Sequence, residues 1–269
     1  MKLAHLLLYY PTLWCVCLYI IASPLVGQAA PVDLSELSEP SGIDSSLASV
    51  SRVFNTLNTR IRDNQIDGLS ARGELQRCLT AVRSEYFRAG GREYPPSAWV
   101  FPLVGYDIRA VGGGRRHGYV AGPYDYFKGN RHGGHPSFDI FIRDRNQDGR
   151  DDTSDRPVTV RSLTGGVVVA LERDWQPDSR LLGGRYLWIY DPAHELLVYY
   201  AHNGELSVEL GEIVKPGDVL ATVGRSGFNA AKRRSPTHLH LTVVRVGDGR
   251  VVPVDVYREL RNARVGTVQ

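Results

Sequence analysis

The chain has 269 residues, 42% of them hydrophobic and 23% charged. Those proportions are ordinary for a globular protein and exclude intrinsic disorder and collagen-like repeats. A formal net charge of +3 over this length argues against a dedicated nucleic-acid binder.

Residues 1–30 read as an export segment. Lys2 is the only charged residue before Asp33, and between them run Leu6 to Tyr10 and then Leu13 to Ala22, interrupted only by Pro11 and Thr12. Small residues follow at Gly27, Ala29 and Ala30. A basic start, an apolar run and a small-residue end are the three parts of a secretory signal. Cleavage would leave no membrane association; retention would leave an anchor, since the run is nearly long enough to span a bilayer. The expected location is the periplasm or cell envelope, or the medium after release. Cys15 and Cys17 leave with the signal, and Cys78 alone cannot form an internal disulfide.

Residues 31–95 read as a helical N-terminal region. Apolar residues at 47, 50, 54, 57 and 61 follow helical period, Asn64 to Gly68 breaks the run, and a second helix extends from about Ser70 to Phe87. Leu75, Cys78, Leu79 and Val82 repeat as a buried stripe, which makes Cys78 a small core hydrophobe. This two-helix hairpin is too short to stand alone and is expected to lean on the larger C-terminal region. Pro95-Pro96 marks the boundary of residues 96–269.

Beyond it, short segments rich in β-branched and aromatic residues alternate with turns. They are Trp99–Phe101, Phe138–Ile142, Pro157–Val160, Gly166–Leu171, Tyr186–Tyr190, Leu196–Ala201, Val219–Val223 and Leu239–Val246. The fold class expected is mainly β: a compact antiparallel sandwich or barrel-like domain preceded by the small helical hairpin.

The candidate chemistry lies in the histidines. Alternation along a strand puts His238 and His240 on one face and Leu239, Leu241 and Val243 on the other. Imidazoles at i and i+2 start roughly 6–7 Å apart, close enough to serve one metal centre. Asp139 opposes Phe138, Ile140 and Ile142 on its strand, His135 precedes it by four, and His202 shares the parity of Leu196, Val198 and Tyr200. His117, His132 and His194 lie in Gly- or Pro-rich surroundings and read as surface residues.

Gly133-Gly134-His135-Pro136-Ser137-Phe138-Asp139, Tyr199-Tyr200-Ala201-His202-Asn203 and Ser235-Pro236-Thr237-His238-Leu239-His240 stand in the order and spacing of the motifs of the lysostaphin-type (LytM-like) zinc metallopeptidases. Val214 to Leu220 and Val223 to Gly227 resemble the hairpin before that family's H-x-H strand. The resemblance spans about residues 99–255 and implies one zinc ion held by His135, Asp139 and His240. It implies that His202 and His238 are catalytic, facing the water; which of them accepts its proton is open. No HExxH glutamate is present, so a histidine must do the proton work. Two segments depart from the family's shortest form: the acidic insertion 144–155 and the lengthened run Ala230–Arg234.

The insertion has its own reading. Asp144, Asn146, Asp148, Arg150 (through its carbonyl), Asp152 and Asp155 match a twelve-residue calcium loop, with Asp at the last position as in dockerin modules. Such a loop would hold a structural Ca2+; the alternative is a solvated hairpin tip.

The resemblance therefore implies an exported zinc metalloendopeptidase acting on peptides of bacterial cell-wall peptidoglycan. Two alternatives stand beside it: a non-catalytic cell-wall regulator or amidase activator on the same fold, and a metallopeptidase acting on secreted proteins.

Overall fold

The structure is a computed structural model and describes residues 46–266. The proposed export segment lies outside the described residues. Among those residues no helix is long and apolar enough to cross a membrane.

Helix α1 (Leu47–Arg62) starts where Ser46 caps the Ser49 amide, and α2 (Gly68–Arg88) where the Asp67 carboxylate accepts from the amides of Leu69 and Ser70. Gly90, at φ 89°, ends α2. The anticipated stripes are buried: Leu47, Val50, Phe54, Leu57 and Ile61 on α1, and Leu75, Cys78, Leu79 and Val82 on α2. A buried Arg60–Glu74 ion pair of 3.2 Å joins the two helices.

The described residues then form eleven strands: β1 (Ser137–Phe141), β2 (Arg150–Asp151), β3 (Arg156–Pro157), β4 (Thr159–Arg161), β5 (Gly166–Glu172), β6 (Arg185–Asp191), β7 (Leu196–Leu206), β8 (Ile213–Val214), β9 (Val219–Val223), β10 (His238–Gly247) and β11 (Arg250–Pro253). A short helix α3 (Tyr257–Asn262) comes after them. The main sheet runs β1-β10-β7-β6-β5-β8, with β11 on β10 and β9 bridging β7 and β4. Every ladder between these strands is antiparallel, as expected.

The sheet buries both faces. Phe138, Ile140, Leu239, Leu241, Val198 and Tyr200 point into one core, closed by Val160 and Leu220 and by Phe101 and Leu103. The opposite face sends Leu197, Val244, Val246, Tyr186 and Trp188 against the stripes of α1 and α2. The helical hairpin thus leans on the sheet. It covers the face that also carries His240, because side chains an even number of residues apart share a face.

Three sequence expectations change. Trp99–Phe101 makes only an isolated bridge, Val100 to Arg264. Pro157–Val160 divides at Val158, its first residue pairing β2 and its last two pairing β9. The calcium reading of residues 144–155 is not supported. The Asp144 carboxylate accepts from the amides of Asp148 and Gly149 and from the Thr237 hydroxyl. Asp148 accepts from the Arg150 amide and Asn146, and Asp152 from the Arg145 amide. Asp155 pairs with the Arg150 guanidinium at 2.9 Å. The oxygens that would face a cation turn onto backbone and side-chain N–H groups instead, and no three of these carboxylates converge as a metal group does.

Candidate metal and catalytic centre

Register brings the site together. In the β1–β10 ladder Asp139 lies opposite His240 and Phe141 opposite His238. Directly opposed residues of an antiparallel pair project to the same side, so Asp139, His238 and His240 share a face. His135 is delivered just before β1, where its backbone exchanges hydrogen bonds of 2.8 Å with Val120.

His202 reaches the site by a different route. Ala201 opposes His240, so strict alternation would send His202 to the opposite face, into the core with Tyr200. Instead the backbone at His202 adopts φ 64°, and β7 shifts register against β6 between Tyr200 and Asn203. This bulge turns the imidazole to the metal-site face, where its ring centre lies 5.0 Å from that of His238 and 5.3 Å from that of His240. The parity expected for His202 is therefore overturned, although its place in the site is not.

Two overlapping sets of ligand atoms result: His135, Asp139 and His240, and His202, His238 and His240. In the first, Asp139 Oδ1 lies 3.3 Å from His135 Nε2 and 3.0 Å from His240 Nδ1. Donors about 2.0–2.1 Å from a tetrahedral zinc ion stand about 3.3 Å from each other, so this set fits the ion in spacing and chemistry. The His135 Nδ1–H donates to the Gly118 carbonyl at 3.1 Å, which turns Nε2 toward Asp139. Thr242 lies 3.4 Å from His240 Nε2 and hydrogen-bonds Ser137 at 2.6 Å, which fixes the ring's outer edge.

His202 and His238 are each tied from behind. Their Nδ1–H groups donate to Ser226 O at 2.9 Å and Pro236 O at 2.7 Å. A carbonyl can only accept, so both neutral rings present an unprotonated Nε2 to the cluster. His238 Nε2 is 3.6 Å from Asp139 Oδ1.

Electrostatics follow the same layout. Burial alone would raise Asp139, but hydrogen bonds from His135 and His240 hold its carboxyl far below the usual range. The same bond raises His135. Desolvation lowers His240 against the pull of Asp139. Desolvation, with His240 and His238 beside it, pushes His202 well below its ordinary value.

The sequence model described as Peptidase family M23 matches residues 145–255. Within the β domain, residues 145–255 are thus similar to peptidase family M23. The matched stretch contains His202, His238 and His240, whereas His135 and Asp139 precede it. Solved structures similar to the chain include lytM of Ruminococcus gnavus, at 21% identity, covering 82% of this chain and 89% of that one, with a TM-score of 0.40. The catalytic domain of the antimicrobial peptidase lysostaphin from Staphylococcus simulans is 23% identical over 54% of this chain and 90% of its own, with a TM-score of 0.36. A zinc-containing peptidase from Vibrio cholerae is 22% identical over 62% of this chain and 41% of its own, with a TM-score of 0.37. No curated protein matches the chain at a significant level.

Beside the His135–Asp139–His240 donor set lies an aromatic cleft lined by Tyr124, Tyr126, Tyr186, Trp188 and Tyr199 together with His135, His240 and Thr242. Helix α1 supplies part of its wall through Asn58, Ile61 and Arg62. Asn58 donates to the Tyr186 hydroxyl at 3.2 Å and accepts from that of Tyr126 at 2.9 Å. Asn58, Tyr199 and Thr242 are not among the site residues expected from sequence. Thr242 follows His240 by two and was accessible to the same alternation argument, whereas Asn58 looks like an ordinary polar residue on a helix. His132 also lines this cleft, and His194 is held by Asp191 at 2.9 Å. His117 stacks on Tyr257 at 3.7 Å. All three are half-buried rather than free surface residues.

Proposed function

We propose that the protein is an exported zinc metalloendopeptidase that hydrolyses peptide bonds of bacterial cell-wall peptidoglycan. The observation that carries this reading is the convergence of five side chains: a His135–Asp139–His240 donor set, and two imidazoles whose bare Nε2 atoms face it. Zinc, when bound, supplies Lewis acidity toward water and the scissile carbonyl. His135, Asp139 and His240 hold it, and the Gly118 carbonyl and Thr242 orient the two imidazole ligands.

His202 and His238 share the proton work. As the water oxygen joins the carbonyl carbon, one neutral imidazole accepts the water proton at Nε2 and passes it to the leaving amine as the C–N bond breaks. The other donates a hydrogen bond to the oxyanion once protonated. The Nδ1 anchor keeps the accepting ring in the tautomer its role requires, and orients the Nε2 of the other toward the same point.

The cell-wall substrate rests on the family and on the motif resemblance, and export on the character of residues 1–30. A non-catalytic regulator has no need for all five side chains. Digestion of purified peptidoglycan followed by mass analysis of the soluble fragments tests the reading. New amino termini released by the wild type and absent with His240→Ala are expected; intact peptidoglycan after exhaustive digestion by zinc-loaded protein would sink it.

A further inference from the structure

The two segments that depart from the family pattern meet in space. The Gln147 amide donates to Arg233 O at 2.8 Å, and the Thr237 hydroxyl donates to Asp144 at 2.6 Å. Between them they form an open groove lined by Arg143, Arg145, Arg233 and Arg234, with Asp144 and Asp152 as the acidic members. The groove adjoins the catalytic centre by register. Phe141 opposes His238, the Ile142 amide continues the ladder to Thr237 O at 3.1 Å, and Arg143 and Pro236 come next on the two chains.

Among the described residues, three of the groove's four arginines outnumber its two carboxylates without being ion-paired, whereas Arg143 pairs with Asp151 at 3.1 Å. Asp144 is 7% exposed, with its oxygens held by two amides and the Thr237 hydroxyl. Asp152 accepts from the Arg145 amide. Arg143 shares Asp151 with Tyr106. Arg145, Arg233 and Arg234 are exposed and have no ion-pair partner among the described residues. Their backbone is nevertheless anchored: Arg225 donates to Ser235 O at 2.9 Å, to Thr237 Oγ1 at 2.8 Å and to Lys232 O at 3.1 Å. A backbone pinned from beneath has less loop entropy to lose on binding. Exposed guanidinium groups on such a loop match a carboxylate in charge and planar geometry.

We infer that this groove is a subsite for a carboxylate carried by the substrate peptide on the His238 side of the scissile bond. The aromatic cleft takes the opposite side, so the cluster sits between a mainly apolar and an anion-reading half. The inference rests on the peptidase reading and names the substrate class within it.

The test uses one cross-linked peptidoglycan peptide in free-acid form and the same peptide with its carboxylates amidated. Hydrolysis and equilibrium binding are measured for zinc-loaded wild type, Arg233→Gln/Arg234→Gln and the charge-keeping Arg233→Lys/Arg234→Lys. Wild type is expected to favour the free acid by about 5–20-fold, through KM rather than kcat, and less so at high salt. The glutamine variant should bring that preference close to one, and the lysine variant should retain part of it. Equal KM for the two peptides in wild type, with both cleaved, overturns the groove while the peptidase reading stands. Cleavage of neither, with tighter free-acid binding that the glutamine variant loses, leaves the groove and removes the peptidase reading. Neither cleavage nor preferential binding overturns both.

Discussion

The two histidines of β10 offer the sharpest discrimination, because they share a face two residues apart yet belong to different ligand sets. His240 is common to both sets, whereas His238 occurs only with His202. His240→Ala leaves Asp139 and His135 as the two remaining donors of the first set. Loss of a residue that merely orients a ligand costs about 10–100-fold in metal affinity, so loss of the ligand itself should exceed that. His238→Ala leaves all three donors, with Asp139 Oδ1 still 3.0 Å from His240 Nδ1 and 3.3 Å from His135 Nε2. It should keep zinc near one per chain and lose about 10²–10⁴ in turnover, the usual worth of an acid–base group. His238 is 7% exposed and its ring lies tilted against Phe141, 5.3 Å between centroids, so circular dichroism must accompany both variants to exclude misfolding. The assay is metal content by atomic emission after gel filtration, beside release of soluble peptidoglycan fragments. If His238→Ala loses zinc as fully as His240→Ala while His135→Ala keeps it, the ion belongs to the His202–His238–His240 set and the division of roles is wrong.

The same geometry sets four further outcomes. Gly184 has φ 65°, and a Cβ there would overlap Ser226, whose carbonyl anchors His202; Gly184→Ala should keep zinc and lose at least about tenfold in kcat. Phe54, 1% exposed between α1 and the sheet, should cost about 3–5 kcal/mol as Phe54→Ala in urea unfolding. Cys78 is 1% exposed and its thiol is pushed up to about 12 by burial, so a thiol reagent at pH 8 should titrate it only after denaturant is added. Chelation of zinc should lower Tm, because an ion bound only by the folded state stabilises it by mass action; an unchanged melting curve on chelation of the loaded protein would contradict the site.

Legibility followed the range of the interactions that decide each feature. The boundaries of β9 were readable because a Pro-Gly-Asp turn precedes its β-branched run, and the helical stripes because periodicity records which face is buried. The alternation in His238 to Val243 survived for the same reason. The parity of His202 was not readable, since the bulge at φ 64° is stabilised by partners distant in sequence: Gly183 O accepts from its amide, and its carbonyl accepts from the Gly224 amide. Short ladders such as β8 and β11 carry too few residues to show a period. Carboxylate spacing in residues 144–155 matched a calcium loop, but spacing cannot say whether oxygens turn toward a cation or toward neighbouring amides. Asn58 and the arginine groove lay hidden because each gains its meaning from a surface formed by another part of the chain.

One sheet face therefore does two things. Near β1 it carries Asp139, His238 and His240; farther along β10 it carries Val244 and Val246, which α1 and α2 cover. Asn58 and Arg62 sit where these zones meet, the first bonded to two tyrosines of the cleft and the second to Tyr186 and Glu172. Removing the hairpin would uncover a buried apolar surface and release the rings that shape the cleft beside the ligands. Stability and substrate binding are coupled through the same few contacts. This is why the hairpin acts as part of the site's wall although none of its residues belongs to either ligand set.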